Sequence, residues 1–251
     1  MTISVVIPVL NEQQALPATI AALRACRGVA QIIVADGGST DGIVPWLQAQ
    51  PDLVLVNSAR GKGPQINAGA AATFGASTPS AVSETDLAAS PDVLLFLHAD
   101  CLISQSAIDA LHAALADPQT AGGAFYLRFA ESRPRSLRLV AAGINLRAWL
   151  RRSATGDQGI FVRKNVFRAI GGAPDWPLFE DVELVRRIKQ AGKFSVLQPT
   201  LTVSGRRYIE HGVLRTALRI YALRFAYWLG VPPPRLKEWF KDARPDEGPS
   251  R

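Results

Sequence analysis

The chain has 251 residues, of which 48% are hydrophobic, and it carries a formal net charge of +7 with an isoelectric point near 9.8. This length and apolar content suffice for one large α/β domain. The charge favours anionic partners such as phosphates, acidic lipid headgroups or nucleic acid, although it bears on association and not on chemistry. The two cysteines, Cys26 and Cys101, have no CxxC spacing, which argues against a zinc site or a disulfide framework and for a reducing compartment.

The sequence predicts neither a signal for export nor a membrane-spanning helix. Thr2 to Ile7 already read as a strand, and no basic segment precedes them, which argues against a signal peptide. No uninterrupted apolar run reaches the ~18 residues that a spanning helix needs. We therefore expect a cytoplasmic protein.

Runs of Val, Ile and Leu alternate with helical patterns, as in βαβ units, and this alternation predicts an α/β fold with a mostly parallel central sheet. The predicted strands are 3–9, 31–35, 53–56, 93–97, 122–129, 160–162, 194–197 and 201–204. The predicted helices include 65–74, a helix capped by Ser104, 134–152, a helix starting at 180 and a long helix at 212–229.

Two segments lack this periodicity. Residues 75–91 are rich in Ala, Ser, Thr and Pro and predict a surface loop inserted into the domain. Residues 231–251 predict a frayed C-terminal tail. The predicted domain therefore spans 1–230, and its last part, 206–230, is an amphipathic helical region.

Four polar clusters fall at predicted strand ends or helix starts. Ligands bind outside the carboxyl ends of strands in open α/β sheets, so this coincidence predicts a binding site. The clusters are 36–42 with Asp36 at its start, Arg60 with Lys62, His98 with Asp100, and Glu180 with Asp181.

The first two clusters each have two interpretations. Asp36 can accept a hydrogen bond from a ribose hydroxyl or a base, but 36–42 also suits a turn that caps a helix. It does not match G-x-G-x-x-G, which makes a nicotinamide cofactor a poorer fit. Arg60 and Lys62 can hold phosphate, or they can belong to a solvated basic loop.

The other two clusters could carry metal and proton chemistry. His98 and Asp100 point the same way if the strand stays extended, and a carboxylate there can hold a divalent cation that bridges two phosphates. The alternative is a strand-end histidine and a capping aspartate. Glu180 or Asp181 could act as a general base, whereas carboxylates also favour a helix start through the dipole alone.

Taken together and in order, these clusters resemble family 2 glycosyltransferases of the GT-A type, across about residues 3–230. The similarity is greatest to a compact bacterial branch with a His-Ala-Asp motif at 98–100 and a Ser-Gly-Arg-Arg segment at 204–207. The matching segments are 6–12, 34–42, 60–63, 95–100, 156–158 and 179–181.

The resemblance implies a single GT-A-type domain that transfers a sugar, with inversion, from a UDP- or GDP-type donor to an acceptor hydroxyl. It implies Asp181 as the general base beside Glu180, and Asp100 as the ligand of Mn²⁺ or Mg²⁺. His98 replaces the first acidic residue of the usual Asp-x-Asp motif and cannot supply its negative charge. The remaining implied site residues are Pro8, Asn11, Glu12, Asp36, Arg60, Lys62 and His98 for the nucleotide, Gly156, Asp157 and Gln158 for a sugar, and Arg206 and Arg207 for the diphosphate.

Two alternatives stay open. A nucleotidyltransferase of similar fold would have a similar site, but it needs a glycine-rich signature near the first strand that 10–13 does not offer. The other alternative is a basic protein that binds anions or a membrane surface without catalysis. The helix at 212–229 either packs on the domain or lies on the inner face of a membrane, where a lipid-linked acceptor would be found. We expect no nucleic-acid partner.

Overall fold

The structure is a computed structural model that describes residues 1–73, 92–131 and 133–241. The predicted loop insertion at 75–91 and the last ten residues of the predicted tail lie outside the described residues. None of the described helices is long and apolar enough to cross a membrane.

The described strands form one eight-stranded sheet in the order β3-β2-β1-β4-β7-β6-β8-β5. The pairs β1–β2, β1–β4, β2–β3 and β6–β8 are parallel, and β7 joins the two halves through antiparallel pairs with β4 and β6. A mostly parallel sheet is therefore confirmed. The strands are β1 Ile3–Val9, β2 Val29–Asp36, β3 Leu53–Asn57, β4 Val93–Phe96, β5 Cys101–Leu102, β6 Thr120–Phe129, β7 Ile160–Arg163 and β8 Lys193–Val203.

Helices flank the sheet, and a short 3₁₀ turn at Gly156–Gln158 precedes β7. The helices are α1 Leu16–Arg24, α2 Ile43–Gln48, α3 Lys62–Ala72, α4 Gln105–Leu115, α5 Ser136–Arg151, α6 Lys164–Ala169, α7 Glu180–Ala191, α8 Arg206–His211, α9 Val213–Trp228 and α10 Pro233–Lys241.

Two hydrophobic clusters cover the two faces of the sheet. Along β1, Val5 and Ile7 belong to one cluster while Val6 belongs to the other, and Leu94 and Leu95 of β4 divide in the same way. Successive side chains of a strand point to opposite faces, so a strand buried on both sides reads as a continuous apolar run. Each such side chain contributes about 1.5–3 kcal/mol through burial.

The parallel strands bring their carboxyl ends to one edge of the sheet, and α3 fixes the loops there. Gln65 of α3 is buried and its amide nitrogen donates hydrogen bonds to the carbonyls of Val9 (2.6 Å) and Ala35 (2.8 Å), at the ends of β1 and β2. Gly63 allows close packing of α3, because a Cβ there would lie 2.1 Å from the Pro174 carbonyl oxygen.

Two details differ from the sequence predictions. The two strands predicted at 194–197 and 201–204 are one strand, β8, whose register with β6 shifts between Phe125 and Leu127. Helix α10 occupies 233–241, where a frayed tail was predicted. Leu236 anchors this helix, because its side chain is fully buried against Phe179 and Leu223.

Candidate active site

A cavity of about 140 Å³ opens at the sheet edge where β1 and β4 end. Side chains that are distant in sequence line it, contributed by β1, the start of α3, the turn after β4, the 3₁₀ turn, and α8 with the segment before it. The lining includes Pro8, Glu12, Lys62, His98, Asp100, Asp157, Arg206, Arg207 and Tyr208. The structure therefore brings together most of the residues that the sequence singled out.

A sharp turn, rather than strand alternation, presents His98 and Asp100. The strand β4 ends at Phe96, and the Cys101 N–H donates to the His98 carbonyl (3.1 Å). The Thr19 hydroxyl holds the turn from below by donating to the Ala99 carbonyl (2.6 Å). The condition of an extended chain through 98–100 is not met, but both side chains still reach the same cavity.

His98 is held between two neighbours. Its Nδ1 lies 2.8 Å from Asp157 Oδ1, and its Nε2 lies 3.0 Å from Lys62 Nζ. An ammonium group can only donate, so His98 Nε2 accepts from Lys62 and Nδ1–H donates to Asp157. Gly156 leaves room for the ring, since a Cβ there would lie 2.5 Å from His98 Nε2. In this arrangement His98 orients Lys62 and has no free lone pair for a metal.

Positive groups around Asp157 keep it ionised. The hydrogen bond from His98 and the positive charges of Lys62 and Arg207 hold the pKa of Asp157 well below its usual range. Asp157, His98, Lys62 and Arg207 form one network of hydrogen bonds and charges in the lining of the cavity.

Asp100 and Glu12 supply negative charge at the cavity mouth. Asp100 accepts no hydrogen bond from the described residues, so its carboxylate is available to a ligand. Burial raises the pKa of Glu12, and the nearby charge of Asp100 raises it further, while Arg206 and Arg207 oppose the effect. Two carboxylates that repel each other are stabilised by a cation between them.

The fit of a divalent cation to this site depends on ligands beyond the protein. Within 1–73, 92–131 and 133–241, no group of three or more His, Cys, Asp and Glu side chains converges to hold a metal ion. Asp100, with Glu12 beside it, suits a hard cation whose remaining ligands are phosphate oxygens and water. The residues present therefore fit a cation that arrives with a diphosphate.

Asp181 sits where α7 meets the 3₁₀ turn. Its Oδ2 accepts from the Gly156 N–H and its Oδ1 from the Val182 N–H, both at 2.7 Å. Both interpretations of this carboxylate, as a helix-start residue and as a base, agree with these contacts. They also fix its orientation toward the turn that carries Asp157.

Gln158 has a structural position. It is fully buried, its amide nitrogen donates to the Phe125 carbonyl (3.0 Å), and its oxygen accepts from Thr155 N–H (3.2 Å) and Arg147 Nη2 (3.1 Å). These contacts hold the side chain inside the protein, and the expected position of Gln158 near a sugar stays a prediction. Gln158 holds the turn that presents Gly156 and Asp157.

The buried carboxyl group of Glu180 should make the stability of the folded protein depend on pH. Burial raises its pKa, and the adjacent charge of Asp181 raises it further. The folded state then binds this proton more tightly than the unfolded state, so stability falls as pH rises from the ordinary pKa through the raised one. We expect Glu180→Gln to raise the Tm at about pH 7 and to have a smaller effect near pH 4, where both states are protonated.

Glu183, on the same helix, is the matched control for these thermal melts, because its substitution should change the Tm in the opposite direction. Its hydrogen bond from Arg186 lowers its pKa, so its stabilisation is present above the ordinary carboxyl pKa and lost in acid. Glu183→Gln should therefore lower the Tm near neutral pH. A Glu180→Gln protein that melts below the wild type at neutral pH would contradict the assignment.

The Asp36 cluster matches its turn interpretation. Asp36 is buried and accepts hydrogen bonds from the N–H groups of Gly38 and Ser39 and from the Ser39 hydroxyl. Asn11 joins this loop to the end of β1, because its Oδ1 accepts from Thr40 N–H at 2.8 Å. A groove of about 240 Å³ lies beside it, lined by Asn11, Glu12, Gln13, Gln14, Asp41 and Arg206.

Arg60 is not brought to the cavity. It is exposed in the loop after β3, at the same sheet edge, and it does not line the cavity. A solvated basic loop describes its present position. Lys62, two residues later, is the basic residue of this pair that reaches the site.

Four residues near the site were missed by sequence reasoning. Glu131 holds the segment before α8, since its carboxylate accepts from Gly205 N–H at 2.7 Å. Tyr208 lines the cavity, and burial raises its pKa to about 12. Arg147 and Arg224 come from α5 and α9, and burial lowers the pKa of each, while the charge of Asp181 acts in the opposite direction. The arginine-rich pattern of 134–152 was the available signal for Arg147.

Comparison with solved structures shows the same fold in nucleotide-sugar enzymes. Mannosyltransferase PcManGT from Pyrobaculum calidifontis, in complex with GDP-Man and Mn²⁺, matches with a TM-score of 0.60 and 19% identity, over 92% of this chain and 66% of that one. Glucosyl-3-phosphoglycerate synthase from Mycobacterium tuberculosis, in complex with Mn²⁺, UDP and phosphoglyceric acid, matches with a TM-score of 0.56 and 20% identity, over 87% and 76%.

S. aureus TarS 1-349 matches with a TM-score of 0.57 and 14% identity, over 86% of this chain and 64% of that fragment. No curated protein matches the chain by sequence. The sequence profile of Glycosyl transferase family 2 matches residues 4–172, about two thirds of the chain, and covers β1 to α6 with most of the cavity. The chain therefore belongs to glycosyl transferase family 2 and has the GT-A-type fold.

Proposed function

We propose that this protein transfers a sugar from a UDP- or GDP-type nucleotide sugar to an acceptor hydroxyl, with inversion at the anomeric carbon. The observation that carries the proposal is the cavity that joins the carboxylates of Glu12 and Asp100 to the cationic groups of Lys62, Arg206 and Arg207. A diphosphate with a divalent cation complements both sets of charges.

Binding of the donor follows from this charge arrangement. The nucleoside would lie in the groove beside Asn11 and Glu12, with Asp36 holding the loop that forms its wall. The bound cation would be held by Asp100 and Glu12 and would act as a Lewis acid toward the leaving diphosphate. Lys62, oriented by His98, and the two arginines would stabilise the negative charge that grows on that group.

Asp181 would act as the general base. It would accept the proton of the acceptor hydroxyl while the oxygen attacks the anomeric carbon from the side opposite the diphosphate, which inverts the configuration. The hydrogen bond from Gly156 keeps this carboxylate next to the turn that carries Asp157. A lipid-linked acceptor at the inner face of the membrane is part of the proposal.

A thermal-shift screen tests the donor class. Purified protein would be melted with UDP, GDP, dTDP, ATP or NAD, each with and without Mn²⁺. At 100 times the dissociation constant, a ligand stabilises by about 2.7 kcal/mol, which corresponds to a Tm rise of roughly 5–10 °C for a chain of this size. We expect that rise with a nucleoside diphosphate plus Mn²⁺. A larger rise with ATP would favour a nucleotidyltransferase, and no rise with any nucleotide would overturn the proposal.

A further inference from the structure

Helices α5 and α9 leave an unusually apolar surface uncovered. Ten large apolar side chains on these helices and at Leu229, just after α9, are between 45% (Tyr221) and 76% (Leu139) exposed. We call this the two-helix apolar surface, and its members are Leu139, Leu146, Trp149, Leu150, Leu214, Leu218, Tyr221, Phe225, Trp228 and Leu229.

The two stripes form one continuous surface. On α9 the members recur at intervals of four and three residues from Leu214 to Trp228, which places them on one helical face. Gly143 lies within the α5 stripe, and a Cβ there would be 3.1 Å from the hydroxyl of Tyr221, in the middle of the α9 stripe. The surface exposes on the order of 1,000 Å², above the few hundred Å² usual for a soluble monomer.

The structure adds detail to the sequence expectation for α9. An ordinary helix packed on the domain would bury its apolar stripe, but here the stripe faces outward. The buried residues of α9 are instead Val213, Thr216, Ala217 and Leu223. The apolar pattern of this helix therefore serves a partner and not the core.

The charges around the surface indicate what that partner is. Neither α5 nor α9 contains an aspartate or a glutamate. Exposed arginines lie on these helices or next to their ends instead, at positions 135, 138, 151, 152 and 215. Arginine at the rim, with Trp, Phe and Leu at the centre, is the composition of a helical surface that lies in the interface of an acidic membrane.

A second copy of the chain is a poor candidate for the partner of this surface. A two-fold interface places the same patch against itself, so the exposed arginines of both copies would face each other. Juxtaposed like charges oppose association, whereas acidic headgroups neutralise them.

The inner sides of the same helices reach the site. Arg147 of α5 donates to Gln158, in the turn that holds Asp181, and Arg224 of α9 interacts electrostatically with Asp181. We infer that the two-helix apolar surface docks on an acidic membrane, so that α5 and α9 lie between the lipid and the Asp181 end of the site. Docking itself is independent of the proposed function, while a role for it in acceptor access rests on that function.

Vesicle co-sedimentation of the full chain tests docking without any nucleotide. We expect the protein to sediment with phosphatidylcholine vesicles that contain phosphatidylglycerol, to bind pure phosphatidylcholine more weakly, and to be released by salt. The double variant Leu218→Ser/Trp228→Ser should lower the partition coefficient at least about tenfold, because it removes apolar area that enters the lipid. Arg215→Glu should lower it about fivefold or more.

Matched variants outside the surface control for general effects. Val54 is an exposed apolar residue on β3, and Arg27 is an exposed arginine after α1. Val54→Ser and Arg27→Glu should leave vesicle binding near the wild-type value, and melting curves would confirm that all variants fold. The inference is overturned if the wild type does not bind acidic vesicles, or if the surface and control variants bind equally. It is also overturned if sedimentation analysis finds a dimer that dissociates in Leu218→Ser/Trp228→Ser.

Discussion

Replacing Asp181 by asparagine should lower kcat by about 10²–10⁴-fold, the contribution typical of a general base. Asparagine keeps the size of the side chain and one carbonyl acceptor for a backbone N–H, but it cannot take a proton. Donor binding should stay close to the wild-type value, because the cavity that would hold the diphosphate is lined by other residues. Single-turnover transfer assays and donor titrations separate the two effects.

Asp175→Asn is the matched control for this experiment. Asp175 is an exposed aspartate in the loop before α7, and the substitution makes the same change of charge outside the cavity. Its activity should equal that of the wild type. If Asp181→Asn lost donor affinity and transfer in equal measure, Asp181 would be a residue of the donor site and not the base.

Replacing Asp100 by alanine should weaken donor affinity in the presence of Mn²⁺ by about 10–100-fold or more. Loss of residues that only support metal ligands already costs this much, and Asp100 is proposed as a direct ligand. Calorimetric titration with the best nucleoside diphosphate, with Mn²⁺ and with a chelator, measures the effect. The wild type should lose affinity when the metal is removed, and the variant should bind weakly under both conditions.

Asp109→Ala provides the control, since Asp109 is an exposed aspartate on α4, away from the cavity. It should keep the metal-dependent affinity of the wild type. Equal affinities of Asp100→Ala and wild type, with and without Mn²⁺, would remove the cation from the proposal and leave Lys62, Arg206 and Arg207 as the diphosphate ligands.

The positions of most strands along the chain, and the edge that the parallel strands share, could be predicted because their signal is local. Continuous apolar runs such as Ile3–Val9 must be buried on both faces, and polar residues directly after them must meet where the parallel strands end. The convergence of Lys62, His98 and Asp100 follows from this alone. The resemblance to a known family then added roles that spacing does not give.

Other features depend on contacts that no local pattern carries. The outward direction of the α9 stripe is set by which of its faces the domain covers, and the same periodicity fits either orientation. The hydrogen bonds that the Asp36 carboxylate accepts come from the N–H groups of its own turn. The helix at Pro233–Lys241 is ordered by the burial of one residue, Leu236, against α9 and the start of α7.

The backbone hydrogen bonds to Asp181 also restrict how an acceptor can approach. A carboxylate offers about four lone-pair directions, and the N–H groups of Gly156 and Val182 occupy one on each oxygen. An incoming hydroxyl can use only the directions that remain. In the proposed reaction, the peptide groups of the 3₁₀ turn and of α7 would therefore restrict the direction from which the O–H bond of an acceptor can reach Asp181.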